Sequence, residues 1–306
     1  FARFARLVRA TGTDVIHTHG RGTMKFVAMI QMLGLIQVKH VFHDHFGWLH
    51  LDRRAALDLQ VPMRHQVDAY LGVEARLCTW ATDTVGVAPD RAFLLRSGVD
   101  LDRFERSRPA DLRGRYSIGP EEVVMVMLAN MRHPKDHPTL FRAIAELSPS
   151  EQGRLRVVLI GATDVDPAYQ QGCTAMIDRL GIDGSIEIHG PASDPAPLLA
   201  AADAAVLSSK NESGPLVVLE YMASGLPLIA TDTGEITHSI RDKGVGMVPA
   251  PRDHHALAAA LREMIHLSPD ERAAIGAHNK ELAANCLLYT SPSPRDLSTS
   301  RMPSSA

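Results

Sequence analysis

A chain of 306 residues is long enough for two domains of ordinary size, and its 45% hydrophobic and 22% charged content is that of a globular protein. A net charge of −3 argues against general nucleic-acid binding, and the longest apolar stretch, Phe26 to Ile36, is interrupted by Gln31 and too short for a bilayer. Cys78, Cys173 and Cys286 make neither a disulfide framework nor a metal-ligand spacing, which points to a cytoplasmic setting.

The chain opens on Phe1 inside an amphipathic pattern (Phe1, Phe4, Leu7, Val8) without an initiator Met, and reads as cut there. Short β-type runs then alternate with helical patterns. Strands are expected at Asp14–His17, His40–His43 and Ala92–Leu95, then at Val123–Leu128, Val157–Ile160, Ile186–His189, Ala204–Leu207 and Leu226–Thr231. Helices are expected at Thr139–Leu147, Tyr169–Leu180, Ala196–Ala202, Pro215–Ser224, His255–Ile265 and Asp270–Asn285. Such alternation predicts α/β halves with mostly parallel sheets. Arg, Asp, Ser and Pro cluster at Asp102–Leu112, which places a partial first domain at 1–106 and a second at 107–285. From Cys286 the composition changes to six Ser and three Pro over the last 21 residues. That tail resembles a translated transposase adapter from sequencing libraries, so 286–306 is expected to be non-native or disordered.

The densest chemistry lies in Asn211-Glu212-Ser213-Gly214-Pro215, followed by Leu216 to Glu220. Pro215 suits the first position of a helix whose Leu216, Val217, Val218 and Leu219 call for burial, and a buried Glu220 needs a partner. Gly214 and the free N–H groups of the helix start suit an anion such as a phosphate. His17 and His19 have metal-pair spacing, but no third ligand is apparent beside them, and no metal is assigned.

Five stretches in order, Asp14–Gly20, Ser97–Phe104, Leu128–Asp136, Leu159–Gly161 with Asp203–Ser209, and Glu212–Gly234, resemble the retaining glycosyltransferases of family 4. The resemblance implies a GT-B-like arrangement of two Rossmann-like domains facing a central cleft, with the nucleotide sugar held mainly by the C-terminal half. It implies catalytic roles for Glu212, Lys135 and His45, with Lys135 on the phosphates and Glu212 toward the sugar. Either His43 or His45 fits the histidine that the family places near the donor, and His45 is preferred. Donor binding falls to Glu220 on the ribose hydroxyls, and to Arg132, Asn130, Gly214, Pro215, Leu216, Thr233 and Gly234. The amides of Thr233 to Glu235 are further candidates. One departure stands out: Asn130 occupies a position where the family often has Arg, and Arg132 is the substitute at hand.

The activity implied is transfer with retention from a UDP- or GDP-sugar, as substrate, to a hydroxyl on a glycan, lipid or small molecule. No cofactor, metal or nucleic acid is implied, and peripheral contact with the inner face of a membrane is compatible. The first domain lacks the glycine-rich loop of relatives, so low turnover is expected of this piece. A sugar-nucleotide epimerase of the same architecture and a non-catalytic binding module are the alternatives.

Overall fold

The computed structural model describes residues 1–45, 53–96, 98–212, 215–243 and 246–286. Expectations for Ser97, Ser213, Gly214 and the tail beyond Cys286 lie outside these residues. Two compact units divide between Ser97 and Gly98.

In the first unit α1 (Ala2–Ala10) leads into β1 (Val15–His19), followed by α2 (Arg21–Met32), β2 (Lys39–Asp44), α3 (Arg53–Gln66), β3 (Ala69–Gly72), α4 (Ala75–Trp80) and β4 (Ala92–Leu94). The strands pair in parallel in the order β1-β2-β3-β4. Phe42 and Tyr70, paired across β2 and β3, pack against Met24 and Ala28 of α2, Leu59 and Met63 of α3, and Leu77 and Trp80 of α4. Because strand side chains alternate, His43 must then point to the opposite face, and His19, its register partner, goes with it.

The second unit begins with α5 (Leu101–Glu105) and α6 (Leu112–Arg115), then β5 (Val123–Leu128), α7 (His137–Ala145), α8 (Pro149–Gln152), β6 (Leu155–Ile160), α9 (Pro167–Leu180), β7 (Ile186–Gly190), α10 (Ala196–Ala200) and β8 (Ala204–Leu207). It ends with α11 (Leu216–Ala223), β9 (Leu228–Ala230), α12 (Gly234–Lys243), α13 (His254–His266) and α14 (Pro269–Cys286). Asp100, Asp111, Asp166 and Asp253 cap α5, α6, α9 and α13 with their side chains, satisfying donors that a helix start leaves over.

The contact-based division falls at Ser97/Gly98, ahead of the expected boundary at Arg106. Phe104 of α5 is buried in the second unit's core, and Ala110 N donates to Pro197 O, so the segment from Gly98 onward is part of the second unit.

The second sheet runs β7-β6-β5-β8-β9, every pair parallel. Helices cover both faces, which is why β5, β8 and β9 read as unbroken apolar runs. Met125, Met127 and Val157 face α7, α9 and α13, while Val124, Val126 and Val158 face α10 and α11. The chain winds outward from β5 to β7, returns to β8 on the other side of β5, and continues to β9. At that reversal β5 leads to α7 on one face and β8 leads to α11 on the other, and the crevice at the carboxyl ends of such strands is where open α/β sheets bind ligands.

Candidate functional site

Residues 129–136 follow β5 and residues 208–212 follow β8, so the reversal brings two separate loops together. They are fastened to each other. Lys210 N donates to Pro134 O at 2.8 Å, Ser208 Oγ donates to the carbonyls of Lys135 and Asp136 at 3.2 Å each, and Lys210 Nζ lies 3.2 Å from the buried Asp136 carboxylate. Asp136 also accepts from Thr139 Oγ1 at 2.7 Å, tying the loop to the first turn of α7.

Lys135 and Glu212, expected from the sequence to share the chemistry, meet in this crevice. Lys135 Nζ donates to Glu212 Oε1 at 2.6 Å, and the two side chains are only 17% and 16% exposed. Ser209 Oγ donates to the same oxygen at 2.7 Å, and Ser209 O in turn accepts from Thr231 Oγ1 at 2.6 Å. Sequence reasoning assigns Ser209 no role of its own, although it closes the Asp203–Ser209 stretch. Its part depends on the turn after β8, which spacing alone does not reveal.

Several finer expectations need correction. Pro215 is the N-cap of α11 and not its first helical residue: its φ and ψ are −68° and 101°, and its carbonyl accepts from Val218 N at 2.9 Å. Glu220 is half-buried, not fully buried. Leu216 and Glu220 are four residues apart and form one stripe along α11 that reaches the surface, while Val217, Val218 and Leu219 fill the core. Tyr221 anchors this helix to the sheet, accepting from Leu128 N at 2.7 Å and donating to Val206 O at 3.3 Å. Thr233 is buried and its N–H donates to Thr237 Oγ1 at 2.9 Å, so that amide is already engaged. Gly234 opens α12 at φ +79°, a conformation that suits glycine.

Asn130 Oδ1 accepts from Ala162 N at 2.9 Å, joining the loops after β5 and β6, so this exposed residue has a structural task. Arg132 is exposed and makes no side-chain hydrogen bond or ion pair among the described residues, which leaves its guanidinium available. Gly161 allows close approach of the chain: a Cβ there would lie 2.3 Å from Ala129 O.

His45 belongs to the first unit, directly after β2. Its Nε2 lies 2.8 Å from His19 Nδ1, and its ring centroid is 4.0 Å from that of His43. Burial first, then the neighbouring His19 and His17, lowers the His45 pKa to about 4. Burial and the rings of His45, His17 and His19 push His43 down to about 3. His17 is lowered too, by burial and His19. The expectation that His17 and His19 lack a third ligand fails here. Parallel register places His43 beside them, a neighbour more than twenty positions away in sequence.

Residues 110–282 match the family model described as Glycosyl transferases group 1, and residues 1–103 match that described as Glycosyltransferase Family 4. The chain belongs to the glycosyl transferases group 1 family. Among similar proteins, a D-inositol 3-phosphate glycosyltransferase of Geodermatophilus obscurus is 31% identical over 220 residues, covering 67% of this chain and 48% of that protein. One of Streptomyces scabiei is 31% identical over 199 residues, covering 62% of this chain and 44% of that protein. The chain thus spans about half the length of the curated relatives it matches. Among solved structures, Anabaena HepE in complex with UDP-glucose gives a TM-score of 0.80 at 18% identity, covering 94% of this chain and 77% of that one. A Rickettsia africae glycosyltransferase gives 0.78 at 18% identity, with 94% and 76% covered. The group 1 chain therefore has the GT-B fold, built from two parallel-sheet α/β units. No helix among the described residues is long and apolar enough to cross a membrane.

Proposed function

We propose that this chain is part of a retaining glycosyltransferase that takes a nucleotide sugar, UDP- or GDP-linked, and transfers its glycosyl unit to a hydroxyl of a glycan, lipid or small molecule in the cytoplasm or at the inner membrane face. The observation that carries the reading is the Lys135–Glu212 pair at 2.6 Å in the crevice where the second sheet reverses direction. The similar D-inositol 3-phosphate glycosyltransferases and the UDP-glucose bound in HepE support it.

The chemistry follows from charge. Transfer breaks the bond between the anomeric carbon and the diphosphate oxygen, and negative charge grows on the leaving diphosphate. Lys135, the amides at the start of α11 and the exposed Arg132 supply positive potential to that charge. A diphosphate arriving at Lys135 competes with Glu212 for the ammonium and frees Glu212 for the sugar, while Glu220, on the surface stripe of α11, accepts from the ribose hydroxyls. The acceptor hydroxyl bonds to the anomeric carbon on the face the diphosphate leaves, and its proton passes to the departing phosphate oxygen. Configuration is then retained.

The test is to incubate the protein with UDP- and GDP-sugars and a panel of hydroxyl acceptors, following free nucleoside diphosphate and the anomeric proton of the product by NMR. Acceptor-dependent release of the diphosphate with a retained anomer is expected. An inverted anomer overturns the mechanism, and a sugar altered while still attached to its nucleotide makes the protein an epimerase.

A further inference from the structure

The histidines at the carboxyl end of the first sheet form a cluster that the glycosyl-transfer reading does not use in full. His17 and His19 lie on one face of β1, and His43 lies on the same face of β2 opposite His19. One ring nitrogen from each lies within 4.8 Å of the other two. His17 and His19 are exposed, so an ion can reach the cluster from water. Their surroundings suit ligation. The His43 Nε2 is buried without a hydrogen-bond partner among the described residues. A buried polar atom left without a partner is costly, and a lone pair on imidazole finds one in a cation.

We infer that His17, His19 and His43 form a binding site for a borderline divalent transition-metal ion of the Zn2+ class, with His45 as the outer partner that orients His19. Three imidazole nitrogens make a tri-histidine set, which leaves a fourth position for water or a ligand oxygen. With His19 ligating through Nε2, its Nδ1–H donates to His45 Nε2, which lies 2.8 Å away. Such an outer hydrogen bond fixes the tautomer and ring plane of a metal-bound histidine. Tetrahedral zinc at about 2.0–2.1 Å from each nitrogen separates its ligands by about 3.3 Å, so modest ring rotations within the 4.8 Å cluster close the site.

A second group, Glu146 with His254 and His255, has the same kind of donors, but its carboxylate is already shared between the two rings at 3.1 and 2.9 Å. It serves as the internal control. The 306-residue chain is equilibrated with ZnCl2, dialysed and assayed for bound zinc by mass spectrometry, with Co2+ substitution read from visible absorption. One ion per chain is expected, with the intense visible bands of four-coordinate cobalt. His17→Gln and His43→Gln should each abolish stoichiometric uptake, and because His17 is exposed, its variant keeps the test valid if His43→Gln fails to fold. His45→Gln should weaken binding roughly 10- to 100-fold, the scale of a lost outer hydrogen bond. The His254→Gln/His255→Gln double variant should bind as the parent does. No zinc on the parent, full uptake by the His17 variant, or loss confined to the control double variant overturns the proposal.

Discussion

At the carboxyl end of the first sheet, imidazoles lean on one another with their protonated forms suppressed, whereas at the carboxyl end of the second sheet a lysine and a glutamate neutralise each other at 2.6 Å. Both ends sit on parallel strands, yet they offer opposite things to a ligand. Neutral rings present lone pairs and repel a proton. A largely buried ion pair holds two charges that a polyanion can separate, because breaking one contact exposes a cation to it and an anion to whatever the polyanion carries. The first arrangement suits a cation and the second a phosphate.

The largest expected effect tests the second end. Glu212→Gln keeps the shape but removes the charge, and kcat for transfer should fall by roughly 10²–10³-fold, the scale of one lost electrostatic contact to a transition state. Glu220→Gln should instead raise the donor KM with kcat little changed, since a ribose contact is made equally before and during transfer. Steady-state rates with titration of the bare nucleoside diphosphate separate the two. Loss of diphosphate binding by Glu212→Gln as severe as that by Glu220→Gln breaks the assignment.

Lys135→Ala comes next. A charge-assisted hydrogen bond is worth about 1.5–3 kcal/mol, so diphosphate affinity should drop by about tenfold or more while nucleoside affinity stays level. Equal losses for both ligands, measured by isothermal titration, would place Lys135 away from the phosphates. Combining Lys135→Ala with Glu212→Gln sharpens the comparison, because two residues in direct contact should show non-additive effects on stability.

How much of this is legible in the sequence varies with the kind of signal. Val123–Leu128 and Ala204–Leu207 form strands at the residues expected, because an apolar run buried on both faces leaves little ambiguity. β3 escapes a sequence reading: Ala-Tyr-Leu-Gly is short and carries no β-branched residue, so it lacks a strand's usual mark. α3 escapes as well, since Pro62 inside it normally argues against a helix. Lys135 and Glu212 are found individually through motif resemblance, but their contact depends on two loops joined by the sheet reversal. The histidine group is hidden for a similar reason, since residue spacing shows His17 with His19 and only parallel register adds His43.

The contrast between the ends also has a pH signature. His43 and His45 have folded pKa values of about 3 and about 4, below the ordinary 6.5, chiefly through burial. Their neutral forms favour the fold fully above about pH 6.5. As pH falls from there through the folded values, the unfolded chain takes up protons that the fold refuses, and stability is lost. The second unit has fewer such groups among the described residues, with His137 lowered to about 4 by burial and Lys135, and His189 lowered by burial and Arg115. Hydrogen exchange at about pH 7 and about pH 5 should therefore show β2 amides losing more protection than β5 amides. Equal loss would mean that the imidazole group is better hydrated than its burial implies.

The smallest expected effect concerns Asn130 and Arg132, two positions apart in the loop after β5 but with different tasks. Asn130→Ala removes the acceptor for Ala162 N, and a net hydrogen bond of about 0.5–1.5 kcal/mol should appear as a fall in Tm of about 2–4 °C per kcal/mol, with diphosphate affinity nearly unchanged. Arg132→Ala should do the reverse. Its side chain is exposed and has no partner among the described residues, so stability has little to lose, while a diphosphate beside Lys135 loses part of its positive surroundings. Calorimetric Tm and diphosphate titration on the two variants decide the matter. If Asn130→Ala weakens the diphosphate and Arg132→Ala does not, the loop presents its asparagine to the ligand, and the positive field must come from Lys135 and the start of α11 without help from Arg132.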